Sequence, residues 1–391
     1  MKHVAFGFSL ALLVAGTAEA GLTAQEATET AAASWADYAN RFASETAAEL
    51  EAGRIDLDGA ELRFHALSFE GGEGEACTAP CEAEDGRRRP LFISLHGGGG
   101  TASEYNDEQW ANQLELGHSY APAEGIYIAP RAPTDEWDCW HGPTVDALLV
   151  RLIDALVAAG TVDPDRVYLM GYSAGGDGVY QLAPRMADRF AAAAMMAGHP
   201  NGVSVENLRN LPFAIHMGAQ DSAYDRAAEA ARYGRTLAAL RAADPEGYRH
   251  QVRIHANKGH WMDLEDRVAV PWMEGFVRDA WPMRVVWRLG RAQQDALYWL
   301  ALPEGGEDGD GLVASVDGQT ITLEGPSGRM VEVRLSAALL DLDESISIVS
   351  AAGETLFEGP VERSADVILW SIEQGGDPSA IYEATVTVTL H

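Results

Sequence analysis

The chain has 391 residues, of which 47% are hydrophobic, and a formal net charge of −31. This apolar content is enough for one large globular core and a second, smaller one. So acidic a protein is a poor partner for nucleic acid or an anionic membrane surface, because both would repel it. Lys2 and Lys258 are the only lysines, which excludes a Walker-type phosphate loop and a Ser-x-x-Lys nucleophile.

The first twenty residues have the pattern of a secretory signal peptide. Lys2 and His3 form a short basic start, residues 4–14 are apolar, and Ala18-Glu19-Ala20 is a small-residue cleavage site. No later stretch approaches the roughly 20 apolar residues of a transmembrane helix. We therefore expect a secreted or periplasmic protein without a membrane span.

Three cysteines follow a predicted N-terminal helix at 31–50 and a predicted strand at 61–69. Cys77 and Cys81 lie in a Gly- and Glu-rich connection and are the pair most easily closed into a disulfide in an oxidising compartment. Cys139 would then be left over, and its tryptophan neighbours favour packing over a role as nucleophile. No His or Cys spacing resembles a zinc site, so no metal is expected.

From residue 90 to residue 281, predicted strands and helices alternate. The strands cover 91–95, 125–130, 167–170, 190–196, 212–217 and 248–256. Helices are predicted at 145–159, 227–242 and 268–281, and another begins just after Ser173. This alternation predicts a mostly parallel sheet with helices on both faces. In such sheets the ligand chemistry gathers at the carboxyl ends of the strands.

The segment Gly171-Tyr172-Ser173-Ala174-Gly175 joins a predicted buried strand to a predicted helix. Glycines two residues either side of the serine suit a strained corner that has no room for a β-carbon. Such a corner pushes the serine hydroxyl out of the sheet, which is the pattern of a nucleophile elbow. A tight turn that arose by chance is the alternative interpretation of this motif taken alone.

Two further loops supply the partners that a nucleophilic serine needs. Asp221 comes shortly after the strand at 212–217, and His260 follows the strand at 248–256. Ser173, Asp221 and His260 appear in the chain order of an α/β-hydrolase triad, each in a loop after a strand. Asp221 could instead cap the next helix, which would leave Asp225 as the acid. Other histidines that compete for the role of base are His96, His141, His199 and His216.

The glycine loop His96-Gly97-Gly98-Gly99-Gly100 follows the strand at 91–95. Loops of this type present backbone N–H groups to a developing oxyanion, together with the N–H of the residue after the nucleophile. We therefore expect Gly97 or Gly98, with Ala174, to form an oxyanion hole. Residues expected to contact the substrate are Trp140, His141 and Trp261.

After residue 282 the pattern changes to short alternating strands. They are predicted at 284–287, 296–301, 311–316, 320–324, 330–335, 346–349 and 384–390, with a helix near 363–373. Asp317-Gly318 between two alternating runs is a strong hairpin signal. This part is predicted to be a small β-rich domain that either packs and stabilises or binds a polymer or sugar.

Residues 89–281 resemble exported bacterial serine esterases of the α/β-hydrolase superfamily, in the branch that includes polyhydroxyalkanoate depolymerases and feruloyl and acetylxylan esterases. The resemblance rests on the glycine loop, the elbow, the segment 218–221 and Gly259-His260, and it covers about half of the chain. It implies an α/β-hydrolase fold followed by the β-rich domain. The expected division is signal peptide 1–20, N-terminal helical segment 21–60, catalytic domain 61–283 and β-rich domain 284–391.

The resemblance also implies a reaction. Ser173 would attack an ester carbonyl, His260 would move the proton, and Asp221 would orient the imidazole, without metal or organic cofactor. The substrate would be a small-molecule or polymeric ester. Two rival functions are a secreted peptidase or amidase with the same triad, and a non-catalytic binding protein on a hydrolase scaffold.

Overall fold

The structure, a computed structural model, describes residues 21–83, 85–290, 292 and 294–391. The predicted signal peptide, residues 1–20, lies outside the described residues. Within the described ranges, every helix is too short or too polar to be a candidate membrane span.

A nine-stranded sheet forms the centre of the molecule, in the order β1-β2-β5-β4-β6-β7-β8-β9, with β3 paired to β2. The strands are β1 (Arg54–Leu57), β2 (Ala60–Glu70), β3 (Glu73–Cys77), β4 (Arg89–Leu95), β5 (Glu124–Pro130), β6 (Val162–Tyr172), β7 (Ala192–Met196), β8 (Phe213–Gly218) and β9 (His250–His255). Strands β4 to β9 pair in parallel, whereas β1, β2 and β3 pair antiparallel at one edge. The predicted parallel sheet is confirmed.

Helices cover both faces of this sheet, as predicted. The helices are α1 (Ala24–Glu51), α2 (Ser103–Tyr120), α3 (Pro143–Ala158), α4 (Ala174–Arg185), α5 (Arg226–Ala243), α6 (Ala269–Met273) and α7 (Ala365–Gly375). On β4, Leu91 and Ile93 belong to the core shared with α3, α4 and α5, whereas Phe92 belongs to the core shared with α2 and α6. Strands buried on both faces explain the continuous apolar runs in the sequence.

Two smaller sheets follow the central one, with the orders β10-β13-β14-β16-β17 and β11-β12-β15-β18. Their strands are β10 (Arg284–Arg288), β11 (Ala296–Leu297), β12 (Leu300–Ala301), β13 (Gly311–Asp317), β14 (Thr320–Glu324), β15 (Met330–Leu335), β16 (Ile346–Ser350), β17 (Thr355–Gly359) and β18 (Ala384–Thr389). Burial alternates along β13, β14 and β15, so one face of each strand packs inward. The predicted hairpin at Asp317-Gly318 joins β13 to β14.

The predicted helix at 268–281 is wrong beyond Met273, where α6 ends. The chain farther on is held against β6, because the N–H of Arg278 donates to the carbonyl of Asp165 (2.9 Å). The predicted strand at 296–301 is also wrong as one strand. It divides into β11 and β12, which pair with each other across Tyr298, a residue with φ 54°.

The cysteines behave as the sequence indicates. Cys77 and Cys81 form a disulfide, and Cys139 is free and buried. Burial raises the pKa of the Cys139 thiol to about 12. Because the thiolate is the nucleophilic form, this cysteine is a packing residue.

Candidate active site

Ser173 lies at the corner where β6 ends and α4 begins. Its backbone has φ 58° and ψ −119°, a conformation that L-residues rarely adopt. A β-carbon on Gly175 would lie 2.0 Å from the carbonyl oxygen of Leu95, so α4 and β4 approach too closely for any other residue. The Ser173 N–H donates to the carbonyl of Met196 (2.9 Å), which fastens the corner to β7.

Asp221 and His260 meet Ser173 at the carboxyl edge of the sheet. The His260 Nε2 lies 2.9 Å from Ser173 Oγ, and His260 Nδ1 lies 2.6 Å from Asp221 Oδ2. The side chain of Asp221 is 2% exposed, whereas that of His260 is 43% exposed. In the tautomer that fits these contacts, Nδ1–H donates to the carboxylate and Nε2 accepts from the hydroxyl. Asp225, the alternative acid, lies exposed at the start of α5.

The loops that carry the acid and the base pack tightly against each other. A β-carbon on Gly218 would lie 1.9 Å from the carbonyl oxygen of Gly259, and the N–H of Gln220 donates to the carbonyl of Lys258 (2.8 Å). This close approach sets the spacing between Asp221 and His260. The sequence shows the two loops but not their contact.

Tyr172, the residue before Ser173, links the elbow to the loop that carries His260. Its hydroxyl donates to the carbonyl of His260 (2.6 Å) and accepts from the N–H of Met262 (3.2 Å). Its ring also contacts those of His260 and Trp261. The sequence does not indicate this role, because a residue inside the elbow motif carries no signal for a partner in a distant loop.

Two buried side chains hold the glycine loop. His96 Nδ1 donates to the carbonyl of Gly97 (2.5 Å), and its Nε2 accepts from the N–H of Ala132 (3.0 Å). Burial lowers the pKa of His96 to about 4, so this ring is neutral near pH 7. Asn106 Oδ1 accepts from the N–H of Gly99 (2.8 Å). His96 is thus a support of the loop, and His260 is the histidine that contacts Ser173.

The predicted oxyanion-hole residues surround the nucleophile. A β-carbon on Gly97 would lie 3.2 Å from the Cβ of Ser173, and Gly97 and Gly98 line the cavity at this serine. Ala174 is the first residue of α4, so its N–H belongs to the first turn, whose amides have no partner within the helix. Their role as oxyanion donors stays a prediction.

A cavity of about 670 Å³ lies over Ser173 and His260. This is a usual size for a small-molecule site. One wall is a stripe of α2 at alternating spacings of four and three residues, formed by Tyr105, Gln109, Asn112, Leu116 and Ser119. Trp261 also lines this cavity and is 47% exposed, and its contact with substrate stays a prediction.

The other two predicted substrate contacts lie elsewhere. Trp140 is fully buried, and its Nε1 donates to the carbonyl of His96 (3.0 Å). The prediction that it contacts substrate is wrong, because it supports the glycine loop from beneath. His141 lies outside the set of residues that line the cavity, and its ring contacts Trp137.

Residues 132–281 match the dienelactone hydrolase family, and this range includes Ser173, Asp221 and His260. Feruloyl esterase B from Thermothelomyces thermophilus is 33% identical over 135 residues, which are 32% of this chain and 44% of that protein. Poly(3-hydroxyalkanoate) depolymerase C from Paucimonas lemoignei is 31% identical over 120 residues, 28% of each chain. The matches thus span less than half the length of these relatives.

Among solved structures, the poly(3-hydroxybutyrate) depolymerase LpqC from Bordetella parapertussis is similar at 19% identity with a TM-score of 0.42. The similarity covers 61% of this chain and 96% of that one. The central sheet, mostly parallel and covered by helices on both faces, has the architecture of an α/β-hydrolase fold, and residues 132–281 match the dienelactone hydrolase family.

Proposed function

We propose that the chain is a serine hydrolase that cleaves carboxylic esters through an acyl-serine intermediate. The observation that carries this proposal is the continuous chain of contacts from Ser173 Oγ through His260 to the buried carboxylate of Asp221. The match to a hydrolase family and the similarity to proteins named as an esterase and a depolymerase support ester substrates.

In the acylation step, Ser173 Oγ attacks the ester carbonyl carbon while His260 Nε2 takes the hydroxyl proton. The carbonyl π electrons move to oxygen, and the N–H groups of Gly97 or Gly98 and of Ala174 would stabilise that anion. One such donor typically contributes about 3 kcal/mol in the transition state. The tetrahedral intermediate then collapses, and the C–O bond to the alcohol breaks as His260 returns the proton to it.

Deacylation repeats these steps with water. His260 takes a proton from water as its oxygen attacks the acyl carbon, and the bond to Ser173 Oγ breaks as the serine regains a proton. Asp221 keeps the imidazole in the required tautomer and stabilises its charged form. The exposed side of His260 faces the cavity, which lets water approach the acyl-serine.

The test is hydrolysis of chromogenic acyl esters of increasing chain length, beside an aminoacyl anilide, by wild type, Ser173→Ala and the control Ser44→Ala. Ser44 lies exposed on α1 and is not among the residues that line the cavity. We expect ester cleavage by wild type and control that Ser173→Ala abolishes. Cleavage of the anilide alone would favour a peptidase or amidase. No hydrolysis of any of these substrates would favour a non-catalytic binding protein.

A further inference from the structure

Gln109 is a polar side chain of α2 that lies beside the glycine loop, close to Ser173. A β-carbon on Gly97 would lie 3.2 Å from the Cβ of Ser173 and 3.7 Å from the Oε1 of Gln109. The Cγ of Gln109 lies 3.5 Å from the equivalent β-carbon position on Gly98. The carboxamide is therefore beside the glycine loop, where the reacting carbonyl of a bound ester would lie.

Unlike the carboxamides of Asn106 and Gln113 on the same helix, that of Gln109 is uncommitted. Asn106 binds the glycine loop, and Gln113 Nε2 donates to Ser94 Oγ (2.6 Å). The half-buried Gln109 lines the cavity, and its amide has no hydrogen-bond partner among the residues that the structure describes. A polar group in such a wall is satisfied by water or by a ligand, because leaving it unpaired on binding costs free energy.

The chemistry of the two walls indicates how a substrate would lie. Trp261, Tyr172 and Leu264 present apolar and aromatic surface on the side of the base. Gln109, on the α2 side, offers one acceptor and two donors without a net charge. The pair of walls thus suits an ester with a neutral hydrogen-bonding group close to its carbonyl.

We propose that Gln109 is a specificity-determining residue that hydrogen-bonds a hydroxyl on the acyl carbon next to the scissile carbonyl, or on the one after it. This rests on the proposed esterase function of Ser173. Sites that hydrogen-bond a substrate hydroxyl discriminate against analogues that lack it, because their own polar group is left unpaired. Hydroxyacyl esters are therefore preferred over the matching unsubstituted acyl esters.

The experiment compares kcat/KM for benzyl 2-hydroxypropionate, benzyl 3-hydroxypropionate and benzyl propionate. The variants are Gln109→Leu, which keeps the approximate size but removes both hydrogen-bonding functions, and Gln109→Glu, which keeps only acceptors. Glu108→Gln is the matched control, since Glu108 is the exposed preceding residue and lies outside the cavity wall. Ser173→Ala measures the background for all three esters.

We expect wild type to prefer at least one hydroxyacyl ester, and Gln109→Leu to lose that preference by a factor on the order of ten. Its kcat/KM for benzyl propionate should fall by a smaller factor than that for the preferred hydroxyacyl ester, and Glu108→Gln should match wild type. An equal loss on all three esters, or no loss on any, would overturn the role of Gln109. Activity that survives in Ser173→Ala would instead contradict the proposed function, so the two failures are distinguishable.

Discussion

Tyr172 determines where the base stands relative to the nucleophile, through one hydroxyl shared by His260 and Met262. Tyr172→Phe keeps the ring contacts but removes both hydrogen bonds. A small displacement of a catalytic group costs much of the rate, so we expect kcat to fall by about tenfold or more with little change in folding. Steady-state kinetics beside thermal unfolding measures this, with exposed Tyr224→Phe as control. Unchanged kcat in Tyr172→Phe would show that the loop holds its position without this hydroxyl.

We expect the folded protein to lose stability in acid, because His96 is buried. Burial lowers its pKa to about 4, whereas a histidine in the unfolded chain takes up its proton near pH 6.5. Between these values the unfolded chain binds the proton and the folded one does not, so stability falls as pH falls from 6.5 to 4. The full contribution is about 3 kcal/mol, present above pH 6.5.

Urea unfolding of wild type and His96→Asn across this range measures the effect. We expect the free energy of unfolding to depend less on pH in His96→Asn, while exposed His118→Gln keeps the slope of wild type. Equal slopes for wild type and His96→Asn would contradict a neutral, buried His96.

Those residues of the candidate site that lie in a recognisable local motif could be predicted from the sequence. Ser173, Asp221 and His260 each follow a strand in a known order, and the structure brings them together. The prediction that Trp140 contacts substrate is wrong because a tryptophan close in sequence to a predicted site can either line the pocket or pack in the core. The sequence does not indicate a role for Gln109, because that role depends on a helix and a loop that lie close together only in the folded protein.

Among the elements, the corner from β6 to α4 leaves no room for a β-carbon at Gly175. In Gly175→Ala the new methyl would lie 2.0 Å from a backbone oxygen of β4, which no side-chain movement relieves. We expect a loss of about 3 kcal/mol of unfolding free energy and of nearly all activity. Gly142→Ala is the control, because a β-carbon there meets nothing within 4 Å and φ is −75°. Full activity in Gly175→Ala would contradict the tight corner.

The strands of the central sheet could be predicted from their apolar runs, because parallel strands that are buried on both faces are apolar along their length. Helix α2 was not predicted, since its sequence is polar and the stripe that lines the cavity mixes Gln109 and Asn112 with Leu116. The helix at 268–281 was predicted too long, because local periodicity carries no information about Arg278 pairing with Asp165 (2.7 Å). Long-range ion pairs override local propensity at such positions.

At the scale of the whole molecule, buried charges connect the part of the chain that forms the central sheet to the C-terminal part. Arg278 Nη1 lies 2.5 Å from Asp377 Oδ2, and both residues are less than a tenth exposed. Burial raises the pKa of Asp377, but the charges of Arg278 and Arg189 outweigh it and hold the pKa below its usual value. Helix α1 also packs against α7, so the two ends of the described chain meet. The sequence indicates the change to short alternating strands at residue 284, but it does not indicate these contacts.

Arg278→Met tests this connection. The change leaves the buried carboxylate of Asp377 with the N–H of Ser379 and one more distant guanidinium, Arg189 at 3.8 Å, and it also removes the cationic partner of Asp165. We expect a loss of about 3 to 5 kcal/mol in urea unfolding. Arg87→Met, which removes an exposed ion pair with Asp85, should unfold like wild type. Equal stability of the two variants would show that the buried pair does not join the two parts.

The central claim is that Ser173 is the nucleophile, and the most direct measurement is covalent labelling by diisopropyl fluorophosphate followed by peptide mapping. We expect one adduct, on the tryptic peptide 167–185, formed at the same rate as ester hydrolysis is lost. The adduct should be absent from folded Ser173→Ala and present in Ser44→Ala. Inactivation with the label on another peptide, or wild-type hydrolysis by Ser173→Ala, would contradict the account.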